Sequence, residues 1–220
     1  EYADPSDRRF HAEPNACARC GPRAFLLGPD GAPRESADPV AEAGAALAAG
    51  MVVAVKGLGG FHLACDATSP RSVRRLRERK RREEKPLAVM ARDLAAAEAL
   101  ADLSDEEREL LLSVERPIVL ARRRAGCALA PEVAPDGPLV GVFLPYSPLH
   151  HLLLEAAGRP LVMTSGNLSE EPIAYRNAEA VERLRGIADL FLAHDREIET
   201  RADDSVARVI AGRPIVLRRS

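Results

Sequence analysis

The sequence predicts an α/β domain: a twisted, mostly parallel open sheet flanked by helices, preceded by a small irregular knuckle at the N-terminus. Short apolar runs rich in Val, Ile and Leu alternate with capped helical stretches along most of the chain. The opening segment, by contrast, is broken by Asp4-Pro5, Glu13-Pro14 and Cys17-Ala18-Arg19-Cys20-Gly21-Pro22, which leave no room for a long element. With 220 residues and 46% hydrophobic content, the chain can bury one large core, so a disordered tail and a disulfide-stapled mini-protein are excluded. The expected division is a knuckle and linker over 1–26 and one domain over 27–220.

Each element has its own signal. Asp38-Pro39 opens an Ala-rich helix over 40–49 that Gly50 stops, and 51–55 reads as a buried strand. The loop Lys56-Gly57-Leu58-Gly59-Gly60 ends that strand with three glycines, a backbone that lets a ligand approach closely. Ser69-Pro70 caps a helix running to about residue 82, followed by a strand over 86–90 and a helix over 93–100. Ser104 and Glu107 form a capping box for the next helix. Strands follow over 117–121 and 139–144, then a helix over 148–157, a strand over 161–164 and a helix over 177–187. Runs at 190–193, 205–210 and 215–218 close the sheet, the last two as a hairpin around Gly212-Arg213. In such sheets ligands sit beyond the carboxyl ends of strands, so the loops after Val55, Met90 and Thr164 are where a site is expected.

The net charge of −2 argues against a surface built as a whole for nucleic acid. Among the 31 basic residues, only Lys56, Lys80 and Lys85 are lysines. Lys is a compact, rotatable ammonium and Arg a planar fork, so positions that keep Lys in an Arg-rich chain invite a chemical reading beside the bland one. In the run from Arg71 to Met90, helical spacing places Lys80 with Val73 and Leu76, toward the sheet, while most of the arginines face solvent. An inward Lys calls for an anion. Arg82 and Lys85 follow at the helix end, where the dipole favours cations. The alternative is a solvated basic helix partnered by Glu78, Glu83 and Glu84.

A second candidate is Thr164, Ser165, Gly166, Asn167 and Ser169, a polar loop at a strand terminus able to form an anion-binding nest or an ordinary turn. Asp203 and Asp204, followed by Ser205, fit Mg²⁺ binding or turn chemistry equally. The five histidines fit no zinc-hydrolase spacing. Cys17 and Cys20 make half of a four-thiolate zinc site whose other half is absent from this chain, so weak or no metal is expected. The chain opens on Glu1 with no basic-then-apolar leader, and is expected to be a piece of something longer, cytoplasmic and without a membrane span.

Taken in order, "DPSDRRFHAEPNACARCGP", "KGLGGFHLACDA", "RKRREEKPLAVM", "PYSPLHHLLL", "LVMTSGNLSEEPI" and "HDREIETRADDSVAR" resemble the YrdC-like domain of the HypF carbamoyltransferases of NiFe-hydrogenase maturation, with the end of their second zinc finger in front. The resemblance runs nearly end to end. It implies a positively charged cavity where carbamate, released from carbamoyl phosphate by an acylphosphatase domain, attacks ATP. The products are carbamoyl-adenylate and pyrophosphate, with Mg²⁺ accompanying the nucleotide. A kinase-like domain then passes the carbamoyl group to HypE. By position, Lys80 and Arg82 match the Lys-x-Arg that grips the phosphates, and Ser165 and Asn167 match the Ser-x-Asn loop at the adenylate, with Thr164 leading into it. Ser205 matches a later phosphate-side hydroxyl and Arg218 the strand-end arginine; Lys85 sits beside the basic motif. Loop position alone puts Lys56, Gly59 and His62 at the same mouth, with Lys56 and His62 at the carbamate end.

Adenylation needs fixed cations and N–H donors more than an acid or base, which agrees with these residue types. The sister branch that makes threonylcarbamoyl-adenylate carries an Arg where this chain has Phe143. Losing that charge-assisted partner costs a threonine carboxylate about 1.5–3 kcal/mol, so carbamate is favoured. An RNA-binding module, for double-stranded RNA or tRNA, is the reading from another class. It is disfavoured by the net charge and by three Tyr and no Trp for stacking. A bare scaffold between catalytic neighbours is the third.

Overall fold

The computed structural model describes residues 4–7, 21–82, 85–168 and 171–220. In chain order the elements are β1 (Ala24–Leu27), β2 (Pro33–Arg34), α1 (Pro39–Ala48), β3 (Val53–Lys56), β4 (Phe61–Asp66), α2 (Pro70–Lys80), β5 (Ala88–Met90), α3 (Leu94–Leu100) and β6 (Ala101–Asp102). They continue with α4 (Asp105–Leu112), β7 (Ile118–Arg123), β8 (Leu139–Phe143), α5 (Pro148–Ala157), β9 (Leu161–Ser165), α6 (Asn177–Leu184), β10 (Leu190–His194), β11 (Val206–Ile210) and β12 (Arg213–Arg218). Three helices start alike, on a polar cap followed by Pro: Asp38 accepts from the Val40 and Ala41 amides, Ser69 from Ser72 and Ser147 from His150. The Ser104–Glu107 capping box forms as expected.

The twelve strands of the described residues join one sheet, ordered β12-β11-β7-β8-β5-β9-β4-β3-β10-β1-β2 with β6 beside β7. The α/β class holds, but the sheet is mixed rather than mostly parallel. Among the described residues, the parallel pairs are β10 with β3, β11 with β7 and β5 with β8. The remaining pairs are antiparallel. One cause is β4, which the sequence reading passed over. Phe61–Asp66 carries a His, a Cys and an Asp and follows a glycine-rich loop, so it does not alternate cleanly; all six residues are nevertheless buried, the pattern of a central strand. The glycine loop is therefore a hairpin turn, and β4 runs back between β3 and β9. The irregular opening segment also ends sooner than expected, because residues 24–27 form β1 on β10.

Two cores lie on the two faces. Val53 and Val55 of β3 join Leu47 of α1 and Leu153 of α5 on one face. Ala54, Phe61 and Leu63 join Val73 and Leu76 of α2 on the other. The period of two along a strand enforces this split and decides where neighbouring functional side chains can point. No helix among the described residues is long and apolar enough to cross a membrane.

Candidate functional site

A cavity opens on the face carrying α1 and α5, over the part of the sheet made by β5, β7, β8, β9 and β11. Ala88, Ile118, Leu120 and Met163 give it an apolar floor, while Arg82, Thr164, Ser165, Asp203, Asp204 and Arg218 supply the polar wall. Gly141 keeps the floor low, since a Cβ there would stand 2.8 Å from Ile118 Cγ2.

Two guanidinium groups face this space. Arg82 is half-buried; one terminal nitrogen donates to the Pro86 carbonyl at 3.2 Å, but its buried Nε finds no acceptor among the described residues. Burial first, then the Arg77 and Arg218 charges, lowers its pKa, so the cation is held where an anion would relieve it. Arg77 fixes the turn that carries it. Although it sits in the basic run, Arg77 is buried and donates to the carbonyls of Glu132 (2.7 Å), Arg82 (2.9 Å), Lys85 (3.2 Å) and Val133 (3.3 Å). Arg218, at the end of β12, places Nε and Nη2 on the Asp204 carbonyl at 3.1 and 2.9 Å and Nη1 3.2 Å from the Asp203 carboxylate.

Lys80 points inward as the helical spacing predicts and is 1% exposed. Its ammonium donates to the Ser165 carbonyl at 2.6 Å, the Asn167 carbonyl at 2.5 Å and Asn167 Oδ1 at 2.8 Å. The Ser165 hydroxyl shares Asn167 Oδ1 at 2.8 Å. The inward Lys therefore meets oxygens of the polar loop and shapes that loop from below. Burial, then the Arg82 charge, pushes its pKa down to about 7, with Asp203 pulling the other way. The rest of α2 is not a bare cationic stripe: Arg74 pairs with Glu132, Arg75 donates to the Gly50 carbonyl and Arg79 pairs with Asp189.

The glycines of the β3–β4 hairpin serve close packing rather than a cradle. The Ala202 amide donates to the Gly59 carbonyl at 3.0 Å, Gly166 to Phe61 at 2.6 Å, and Phe61 to Ala174 at 2.7 Å, lacing three loops together. A methyl group on Gly59 would run into the Ala202 carbonyl oxygen and Cβ. Gly59→Ala is expected to cost about 1–3 kcal/mol in urea unfolding. Gly137→Ala, where the added carbon meets nothing nearer than 4.0 Å, is the control expected to stay near the parent. Equal midpoints in the two variants would remove the lacing from this account.

Arg82, Thr164, Ser165 and Arg218 thus meet at one cavity, with Lys80 and Asn167 bonded behind it. Other expected residues do not join them. Lys56 and His62 cannot share a mouth, because the register opposes Lys56 to Phe61 and His62 to Val55, on opposite faces. Lys56 is buried and donates to the His194 and Arg196 carbonyls at 3.0 and 2.7 Å, tying β3 to the end of β10. His62 lies behind the wall, 2.9 Å from Asp204. Lys85 is exposed and outside the lining, and the Ser205 hydroxyl accepts from the Ser220 amide at 2.9 Å. Cys17 and Cys20 lie outside the described residues, among which no cluster of three or more metal-ligating side chains occurs. The sequence reading missed Arg77 and also Tyr146, whose hydroxyl donates to the Asp204 carboxylate at 3.0 Å: nothing in a run of arginines marks the buried one, and a lone Tyr carries no pattern.

The family model Sua5–YciO–YrdC, described as "Telomere recombination", matches residues 45–220, and a HypF finger model matches residues 1–27. Carbamoyltransferase HypF of Rhodobacter capsulatus is 52% identical over 220 residues, which is 100% of this chain and 29% of that protein. A crystal structure of full-length HypF in the phosphate- and nucleotide-bound form is similar at TM-score 0.89 and 47% identity, covering 99% of this chain and 28% of that one. HypF of T. kodakarensis gives TM-score 0.91 at 42% identity, over 100% of this chain and 29% of that one. The chain therefore spans less than a third of the length of these relatives.

Proposed function

The chain belongs to the Sua5–YciO–YrdC family and is similar along its whole length to HypF carbamoyltransferases, and from that premise we propose that it forms carbamoyl-adenylate from carbamate and ATP. A carbamate oxygen attacks the α-phosphorus, the bond to the β-phosphate bridging oxygen breaks, and pyrophosphate leaves with its Mg²⁺. The observation that carries the reading is the pairing of Arg82, whose buried Nε lacks an acceptor among the described residues, with Arg218 across a cavity whose floor is apolar. Fixed cations beside a low-dielectric wall suit the charge that builds on the α-phosphate. Ser165 offers a hydroxyl at the same wall, which Thr164 also lines, and Lys80 holds the loop that follows. Phe143 is fully buried and brings no cation, which supports carbamate over a threonine-derived substrate.

Within the whole protein, this step stands between an acylphosphatase domain that supplies carbamate and a kinase-like domain that delivers the carbamoyl group to HypE, all in the cytoplasm. In this reading a finger segment covers 1–26 and the nucleotide domain 27–220, with β1 (Ala24–Leu27) crossing that boundary onto the sheet; Cys17 and Cys20 would supply half of a four-thiolate zinc site. The test is calorimetric titration of Mg-ATP followed by carbamate-dependent exchange of pyrophosphate into ATP. Saturable binding is expected in the parent, about 10–100-fold weaker in Arg82→Ala, as the loss of a charge-assisted contact implies. A parent that ignores Mg-ATP but binds RNA in a salt-sensitive way would overturn the reading.

A further inference from the structure

Residues 201–205 run into β11 with no ladder of their own, yet they carry the groups that hold Arg218. What fixes this segment lies behind the cavity. The Asp204 carboxylate accepts from His62 Nε2 at 2.9 Å on one oxygen and from the Tyr146 hydroxyl at 3.0 Å on the other. A carboxylate only accepts, so the bonded imidazole nitrogen bears the proton. The donors come from different elements: His62 from β4, directly opposite Ser165 of β9, and Tyr146 from the turn before α5. His150 of α5 stands edge-on to both rings, with centroids 5.9 Å from His62 and 4.7 Å from Tyr146, and wedges them in place.

We propose that His62 and Tyr146 are positioning residues for Arg218: by clamping the Asp204 carboxylate, they fix the carbonyl oxygen on which that guanidinium is docked. The inference rests on the adenylation reading of the cavity for its purpose, though not for its geometry. With both carboxylate oxygens occupied from the core side, Asp204 cannot turn its charge onto Arg218, which would neutralise the cation, or toward an incoming phosphate, which it would repel. Arg218 instead sits on a neutral carbonyl and on Asp203, a pair whose side chains are 51% and 42% exposed and which solvent weakens. Without the clamp, the long arginine side chain recovers its rotamer freedom and its charge is spread over many positions.

The experiment reads Arg218 directly and the nucleotide separately. Hydrogen exchange at Arg218 Nε–H, followed by nuclear magnetic resonance without ligand, is expected to be slow in the parent and at least tenfold faster in His62→Ala and Tyr146→Phe. His62→Gln, whose amide can still donate to Asp204, restores the protection. Mg-ATP affinity is expected to fall about tenfold in His62→Ala, with no further fall when His62→Ala is added to Arg218→Ala. Unchanged exchange in both Tyr146→Phe and His62→Ala overturns the proposal, as does full multiplication of the two affinity losses in the double variant. A merely structural His62 would move the melting temperature but not create this coupling. If His62→Ala does not fold, Tyr146→Phe, which deletes one oxygen, carries the test. A parent that fails to bind Mg-ATP but shows the exchange pattern removes the adenylation reading and leaves the positioning link standing.

Discussion

Acidifying the protein from pH 6.5 to pH 4 is expected to remove about 3 kcal/mol of folding stability through His150 alone. His150 is 0% exposed, and burial, then the neighbouring His62, pushes its pKa down to about 3. In the unfolded chain the ring titrates near its ordinary value of about 6.5. Between those two values the unfolded state holds a proton that the native state refuses, so stability falls as pH drops through the window and is level above it. His194, pushed to about 4 by burial and then by Lys56, acts in the same direction, with solvent screening its share. Urea midpoints measured between pH 7 and pH 4.5 read the slope directly. His150→Leu is expected to reduce the slope, leaving the smaller share of His194, and to cost little at pH 7, since neither ring nitrogen has a partner among the described residues. A slope undiminished by His150→Leu would sink this account.

The second large effect is at Lys80. Lys80→Met keeps the stem and removes the three hydrogen bonds that hold Ser165 and Asn167. Losing one charge-assisted contact costs about 1.5–3 kcal/mol, so Mg-ATP affinity is expected to fall about 100-fold. The stability change is expected to be smaller, because the variant is also relieved of burying an ammonium. With a pKa near 7 in the free protein, part of the Lys80 population is neutral at pH 7.5, and phosphates arriving nearby favour the charged form. Binding should then take up protons, seen as a calorimetric enthalpy that changes with the ionisation heat of the buffer. In Lys80→Met that buffer dependence should vanish; a parent with none would show that binding leaves the charge state of Lys80 unchanged. For folding the sign is as follows: between pH 7 and 10.5 the unfolded chain binds the extra proton, so the cost of burying Lys80 is full below pH 7 and eases as pH rises.

Most helices were legible because their starts are written locally: Asp38-Pro39, Ser69-Pro70 and Ser147-Pro148 each place a side-chain acceptor before a residue whose missing N–H costs nothing. Strand direction was not legible, since it depends on whether Gly57–Gly60 is a loop to a helix or a turn to a strand, and glycine permits both. The inward side of Lys80 followed from helical spacing, whereas the burial of Arg77 depends on carbonyls near residue 132 that lie far away in sequence. The same limit separated Lys56 from His62: the chain brings them within six residues, and the pleat, visible only once β4 is known, sends them to opposite faces. The β11–β12 hairpin was expected, and its turn falls one residue earlier, on Ala211 and Gly212, both with positive φ (50° and 73°).

That hairpin has a consequence for the order in which the sheet is assembled. Among the described residues β11 reaches the rest of the sheet through β7, which stands far earlier in the chain, and it brings Asp203, Asp204 and Arg218 with it. During synthesis the two cores can close around the strands from β1 to β10 while one side of the cavity does not yet exist. The β11–β12 hairpin is thus a wall added late, set against a sheet whose other strands all precede it in sequence.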